Sequence, residues 1–159
     1  MTERHCNSCT ACCEGWIEAK INGKRLLPTA ACKHCTNQGC AIYEDRPYDP
    51  CVKFKCGWLK EPGLLPEKMS PVECGAIILF DRKWQGSTCI CALPTGTTVP
   101  ADTLEWLMAY SRERLLPLIF TENIFENGQY VSRKLIGYGP PPFVEAVKNA
   151  VTAEDIFRL

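Results

Sequence analysis

With 159 residues, 46% of them hydrophobic and 23% charged, the chain is long enough to bury one core and leaves room for a small appended module. Its 18 basic side chains balance 18 acidic ones, so no strong field argues for nucleic acid or an anionic membrane as a partner. The longest apolar run, GAIILF, falls far short of the roughly 18 residues of a membrane span. Where an apolar signal region of roughly 7 to 15 residues would sit, the first twenty residues carry acids, a histidine and a cysteine cluster. The expected compartment is therefore the cytosol, where the 12 cysteines point to metal ligation before disulfides.

Nine of those cysteines fall between Cys6 and Cys56, beginning with CNSCTACC at Cys6, Cys9, Cys12 and Cys13. A CxxC step lets two sulfurs meet one ion, because the two intervening residues form a tight knuckle whose amides also face the thiolates. Zinc takes four such ligands tetrahedrally at about 2.3 Å and deprotonates them. The spacing recurs at Cys32 and Cys35, followed by Cys40, Cys51 and Cys56. Nine thiols exceed the needs of one tetrahedral ion, and adjacent side chains such as Cys12 and Cys13 diverge. Two ions, or one polynuclear centre, are the natural readings. His5 and His34 could each replace a sulfur or stand behind the ligands. Cys35, beside His34, reads equally well as a ligand or as a small buried hydrophobe. An even cysteine count also leaves a disulfide framework formally open.

The segment GCAIYEDRPYDPC places Gly39 at a turn beside Cys40, and Pro47 and Pro50 fix the approach to Cys51. Tyr43, Glu44 and Arg46 are candidates for a hydrogen-bonded layer that compensates thiolate charge, with a solvated charged turn as the plain alternative. In KFKCGWL, Phe54, Trp58 and Leu59 would shield the centre around Cys56, although ordinary core packing asks for the same residues. These motifs together, CNSCTACC, then Cys32, GCAIYEDRP, Cys51 and KFKCGWL, resemble the YkgJ-like CxxCxxCC family of zinc- or iron-chelating domains. The resemblance covers about residues 6 to 60. By position it implies that Cys6, Cys9, Cys12, Cys13, Cys32, Cys40, Cys51 and Cys56 are the metal ligands. Cys35 lies outside those eight, and Val52 stands where the family commonly has an arginine. The resemblance implies chelation and transfers no reaction.

Beyond residue 60 the chain changes character. KEPGLLPEKMSP, with three prolines and a glycine, reads as a linker or an extended wrap. GAIILFD (75 to 81) and TCICAL (88 to 93) are strand candidates about the turn-like RKWQGS. PADTLEWLMAYSRERLL predicts a helix from about 103 to 116, with Asp102 as N-cap, Glu105 three positions on, and Leu104, Leu107, Met108, Ser111 and Leu115 on one face. Asn127-Gly128 predicts a type I′ hairpin turn inside LIFTENIFENGQYVSRKLIGYG. GPPPFVEAVKNAV predicts another helix with proline at its start, and Thr152 with Asp155 predicts a capping pair on a last short helix. Cys89 and Cys91 share a strand face, with Cys74 near them, and read as buried core.

These readings converge on an α+β fold: a cysteine-rich, metal-stapled module over residues 1 to 60, packed with residues 61 to 159 on a small antiparallel sheet with two or three helices. The expected function is metal binding, with zinc preferred over iron and an unknown protein or small molecule as partner. The alternative is an iron or iron-sulfur protein with redox or enzymatic function. Cys6, Cys9 and Cys12 match the first three positions of a ferredoxin run, but Cys13 follows at once and no Cys-Pro occurs. No catalytic constellation is visible, because both histidines lie within the cysteine module.

Overall fold

The computed structural model describes residues 3–6 and 8–157. Its first third is built from turns and two minimal antiparallel ribbons, β1 (Lys20–Ile21) with β2 (Lys24–Arg25) and β3 (Cys35–Thr36) with β4 (Gly39–Cys40). Single helical turns follow at α1 (Gly57–Lys60) and α2 (Pro71–Cys74), the latter capped by Ser70, whose hydroxyl accepts from the Glu73 amide at 3.4 Å. Then come β5 (Ala76–Trp84), β6 (Ser87–Pro94), α3 (Ala101–Arg114), β7 (Leu118–Glu126), β8 (Gln129–Tyr138), α4 (Pro141–Asn149) and α5 (Ala153–Phe157).

The four long strands form one sheet in the order β5-β6-β7-β8. Its outer pairs are antiparallel, as the two hairpins require, with Ile77 opposite Leu93 and Phe120 opposite Ile136. The central pair departs from the all-antiparallel expectation: β6 and β7 run parallel, with Ile90 beside Leu118. The cause is α3, which lies between them in the chain and returns it to the same edge, as a parallel crossover demands.

Alternation along the strands gives the sheet two buried faces. On one, Ile78, Ile90, Ala92, Leu118 and Phe120 pack with Leu107 of α3. On the other, Cys89, Cys91 and Ile119 pack with Phe143 and Val147 of α4 and Ile156 of α5. The second face continues to Ile77, Leu79 and Leu93, and here the covering residues come from the cysteine-rich segment: Ala11, Cys56, Ile17 and Phe54. The two parts of the chain thus share a cluster.

Arg4 fastens the same contact. Its guanidinium donates to the carbonyls of Trp58 (2.9 Å) and Leu65 (2.7 Å), pairs with Glu67 at 3.1 Å and lies 4.7 Å from the Trp58 ring centroid. Two part-buried carbonyls accept from a charged donor here, an arrangement that stabilises more than a neutral pair would.

Several local expectations are met. Asn127 and Gly128 both have positive φ (52° and 75°), as a type I′ turn requires. The Asp155 carboxylate accepts from the amides of Thr152 (2.9 Å) and Val151 (3.1 Å). Others are corrected. The first hairpin turns at Gln85-Gly86, so Arg82, Lys83 and Trp84 belong to β5. Helix α3 begins two residues earlier than predicted behind Pro100, and Asp102 lies inside its first turn with no capping bond. Leu115 is its left-handed C-cap (φ 54°) and is 86% exposed, so it leaves the apolar face. Of the two readings of the proline-rich stretch, the wrap holds: Leu65 and Met69 are buried against Ile78 and Leu107.

Candidate metal centre

Backbone geometry brings the cysteines into register. The Cys9 amide donates to the Cys6 carbonyl at 2.7 Å, closing the first knuckle, and the Cys35 amide donates to Cys32 at 3.0 Å, closing the later one. Between them, the Cys32 amide donates to the Cys13 carbonyl at 2.8 Å, so two segments 19 positions apart in sequence lie side by side. Cys35 stands directly opposite Cys40 across β3 and β4. Gly39, with φ 120°, supplies the backbone conformation that an L side chain rarely adopts.

The thiols divide into two electrostatic neighbourhoods, and the division falls between adjacent residues. Cys12 is repelled by Cys56, Cys9 and Cys6 before its own neighbour Cys13. Cys6 faces Cys9 and Cys56, and Cys56 faces Cys9. Cys13 is repelled by Cys35, Cys40, Cys32 and Cys51. Cys51 faces Cys32 and Cys40, and Cys35 faces the same two. The first set is therefore Cys6, Cys9, Cys12 and Cys56, and the second is Cys13, Cys32, Cys35, Cys40 and Cys51. Cys35, which the family motif leaves out, belongs to the second set.

Burial pushes the thiols of Cys6, Cys9, Cys12, Cys35, Cys51 and Cys56 above the ordinary thiol range; Glu14 adds to the rise at Cys9 and, ahead of the neighbouring thiolates, at Cys35, and neighbouring thiolates add to it at the other four. Cys13 is pushed up to about 12 by burial and the neighbouring thiolates. Against this trend, the Ala11 amide is hydrogen-bonded to the Cys9 sulfur, and the amides of Leu59 and Trp58 to that of Cys56. Amides two and three residues beyond a cysteine that point at its sulfur favour the anionic form. Arg46 acts on both sets, lowering Cys6 and Cys51, and Lys55 lowers Cys6. Arg46 is held by its bond to the Tyr43 carbonyl (2.9 Å) and by stacking 3.8 Å above the Tyr43 ring. Glu44, the third residue of that candidate layer, is exposed.

Cys6, Cys9, Cys12, Cys56, Cys13, Cys40 and Cys51 also line a cavity of about 430 Å³, together with Ile17, Leu26, Phe54, Trp58 and Arg46. Among the described residues, no group of three or more His, Cys, Asp or Glu side chains is drawn close enough to hold a metal ion as it stands. Four sulfurs around one zinc would be about 3.8 Å apart, so the two sets are more open than a closed centre.

His5 is exposed at the cavity rim and sits 4.0 Å from Glu3. His34 is half-buried, and its carbonyl accepts from the Ala41 amide at 2.8 Å. The remaining cysteines are core residues. Cys89 and Cys91 lie on the α4 face, where a bond to Cys89 and burial hold the Cys91 thiol well above its ordinary range. Cys74 lies in the cluster on the α3 face, away from that pair, and burial raises it to about 11. Two contributors escape sequence reasoning. Arg4 carries no motif. Gly15, with φ 90°, passes so close to Leu27 that a β-carbon there would overlap the Leu27 backbone. No family model, curated protein or solved structure matches the chain.

Proposed function

We propose that the chain is a metal-binding protein of the YkgJ-like kind that holds two ions, zinc preferred, in two four-thiolate centres. Cys6, Cys9, Cys12 and Cys56 would hold the first, and Cys13, Cys32, Cys40 and Cys51 the second. The observation that carries this reading is the division at Cys12 and Cys13, which gives each of two adjacent thiols its own partners. The donor set suits zinc, which takes four sulfurs without geometric demand of its own beyond a tetrahedron. Amides aimed at Cys9 and Cys56 and the cations Arg46 and Lys55 suit thiolates, since eight of them with two divalent ions leave a net charge of −4. Ligation calls for the open thiol sets to close by side-chain rotation. When bound, zinc supplies cross-links that a segment with few buried residues lacks. The adjoining cavity, about 430 Å³, falls in the range of small-molecule sites, which favours a small ligand over a protein as the partner.

Anaerobic purification followed by metal analysis and a visible spectrum tests the reading. A colourless protein with two zinc per chain is expected. Adding zinc to the metal-free protein should release protons to the buffer, because a thiol gives up its proton on binding the ion. Stoichiometric iron with sulfide and a brown colour would replace zinc with an iron-sulfur centre. A metal-free protein whose thiols react only after reduction would overturn chelation altogether.

A further inference from the structure

Cys35, the thiol outside the family's eight, has a partner that the backbone alone specifies. We propose that Cys35 and Cys40 are a redox-active dithiol, which closes to a cross-strand disulfide when an external low-molecular-weight disulfide oxidises it. The pairing rests on the hairpin and not on the two-centre reading.

The two cysteines stand directly opposite in the β3–β4 ladder. One position outside them, the Ala41 amide donates to the His34 carbonyl at 2.8 Å, so Cys35 and Cys40 form a non-hydrogen-bonded pair. In such pairs the α-carbons stand about 4.5 Å apart, and the side chains leave one face closer together than at hydrogen-bonded positions. A disulfide spans α-carbons about 4.4 to 6.8 Å apart, so the ladder accepts the bond as it stands. Among the described residues, no other ladder opposes two cysteines.

The turn holds the pair in register. The Thr36 hydroxyl donates to the Gly39 carbonyl at 2.7 Å and accepts from the Gln38 amide at 3.2 Å. Cys32 is joined to Cys35 through a turn, its carbonyl accepting from the Cys35 amide at 3.0 Å, and is the competing partner. Cys35 and Cys40 are free thiols, both half-buried, and Thr36, Asn37 and Gln38 at the tip are exposed. A small oxidant therefore reaches this pair, whereas Cys56, Cys74, Cys89 and Cys91 are buried.

With oxidised glutathione as the oxidant, one protein sulfur gives up its proton and attacks a glutathione sulfur, breaking the glutathione disulfide and releasing one glutathione thiol. The second protein sulfur then attacks the mixed disulfide and releases the other. Two protein thiols are oxidised, one glutathione disulfide is reduced to two thiols, and the two protons go with them. Cys40 lines the cavity, so closure takes a thiol out of the cavity wall, the same thiol that the second centre proposed above would use.

The test equilibrates the full chain in glutathione buffers from reducing to oxidising, with and without a strong chelator, so that an ion held at Cys40 cannot mask the pair. Free thiols are then alkylated, and the remaining bonds are located by digestion and mass spectrometry. A Cys35–Cys40 disulfide should be the first bond to form. Thr36→Ala, which keeps both thiols and loosens the turn, should need a severalfold more oxidising ratio for half-closure, and Cys35→Ser should leave Cys40 free or bound to glutathione. Cys35 paired with Cys32, or Cys35 and Cys40 both alkylated at every ratio in both conditions, would overturn the inference and leave the two-centre reading in place. A Cys35–Cys40 bond in a chain that binds no zinc would uphold it and overturn only that reading.

Discussion

Stripping the metal with a strong chelator is expected to release the amides of Leu26, Cys32 and Cys35 to rapid hydrogen exchange while amides of β6 and β7 stay protected. The asymmetry follows from what each part can bury. Among the described residues up to position 60, the buried ones are Ala11, Gly15, Leu26, Gly39, Cys56 and Gly57. Three of the six are glycines that bring no apolar side chain. Two ribbons of two residues per strand add almost nothing cooperative. Such a segment requires cross-links, and a structural zinc in a small domain supplies about 10–16 kcal/mol at neutral pH. The sheet and the helix α4 packed on it by contrast have Ile78, Ile90, Leu118 and Phe143 fully inside. Loss of metal should therefore melt the covering segment and expose Ile77 and Leu79 without unfolding the sheet. Equal protection with and without metal would show that the thiol segment is held by something else.

Gly15→Ala should destabilise the cysteine-rich segment by more than about 3 kcal/mol and reduce bound zinc, although Gly15 has no chemistry of its own. Its φ of 90° disfavours any L side chain, and the added methyl would overlap the carbonyl carbon and oxygen of Leu27. Relief requires the chain after Cys13 to move away from Leu27. That displacement breaks the Cys12 carbonyl's bond from the Gly15 amide, now 3.2 Å, and pulls on the pair between Cys13 and Cys32. Both proposed centres draw on this crossing, so both should weaken. Chemical denaturation followed by Trp16 and Trp58 fluorescence, with zinc analysis alongside, measures the two effects. A variant with wild-type stability and two zinc would mean that the crossing is not needed.

Local chemistry made part of this architecture readable in advance. Asn127-Gly128 turns because both residues tolerate positive φ, and the alternation around it marks the strands, so β7 and β8 were legible from a few residues. Thr152 and Asp155 were legible for the same reason, a cap needing only four positions. Readings failed where a distant partner decides. Leu65 and Met69 sit in a proline-rich string that reads as a linker or a wrap, and only their packing against Ile78 and Leu107 decides for the wrap. Trp84 lies in a polar, turn-like string, but Phe143 meets it edge-on at 5.3 Å and draws it into the strand. Cys74 was expected near Cys89 and Cys91, but α2 ends on the opposite face of the sheet, where the Cys74 carbonyl accepts from Thr103 at 2.7 Å.

The candidate site shows the same limit. Motif spacing named the thiols and implied more than one ion, since adjacent side chains diverge. It could not say that Cys56 joins the first three cysteines, because that depends on α1 docking beside Ile77. Nor could it assign Cys35, whose place is set by a strand of two residues.

The most direct measurement is the zinc content of Cys12→Ser, Cys13→Ser and the double variant, each purified anaerobically beside the wild type. If adjacent thiols serve different centres, each single variant holds one zinc, the wild type two and the double variant none. Equal loss of both ions from either single variant would contradict the account, because it would mean that Cys12 and Cys13 belong to one shared cluster.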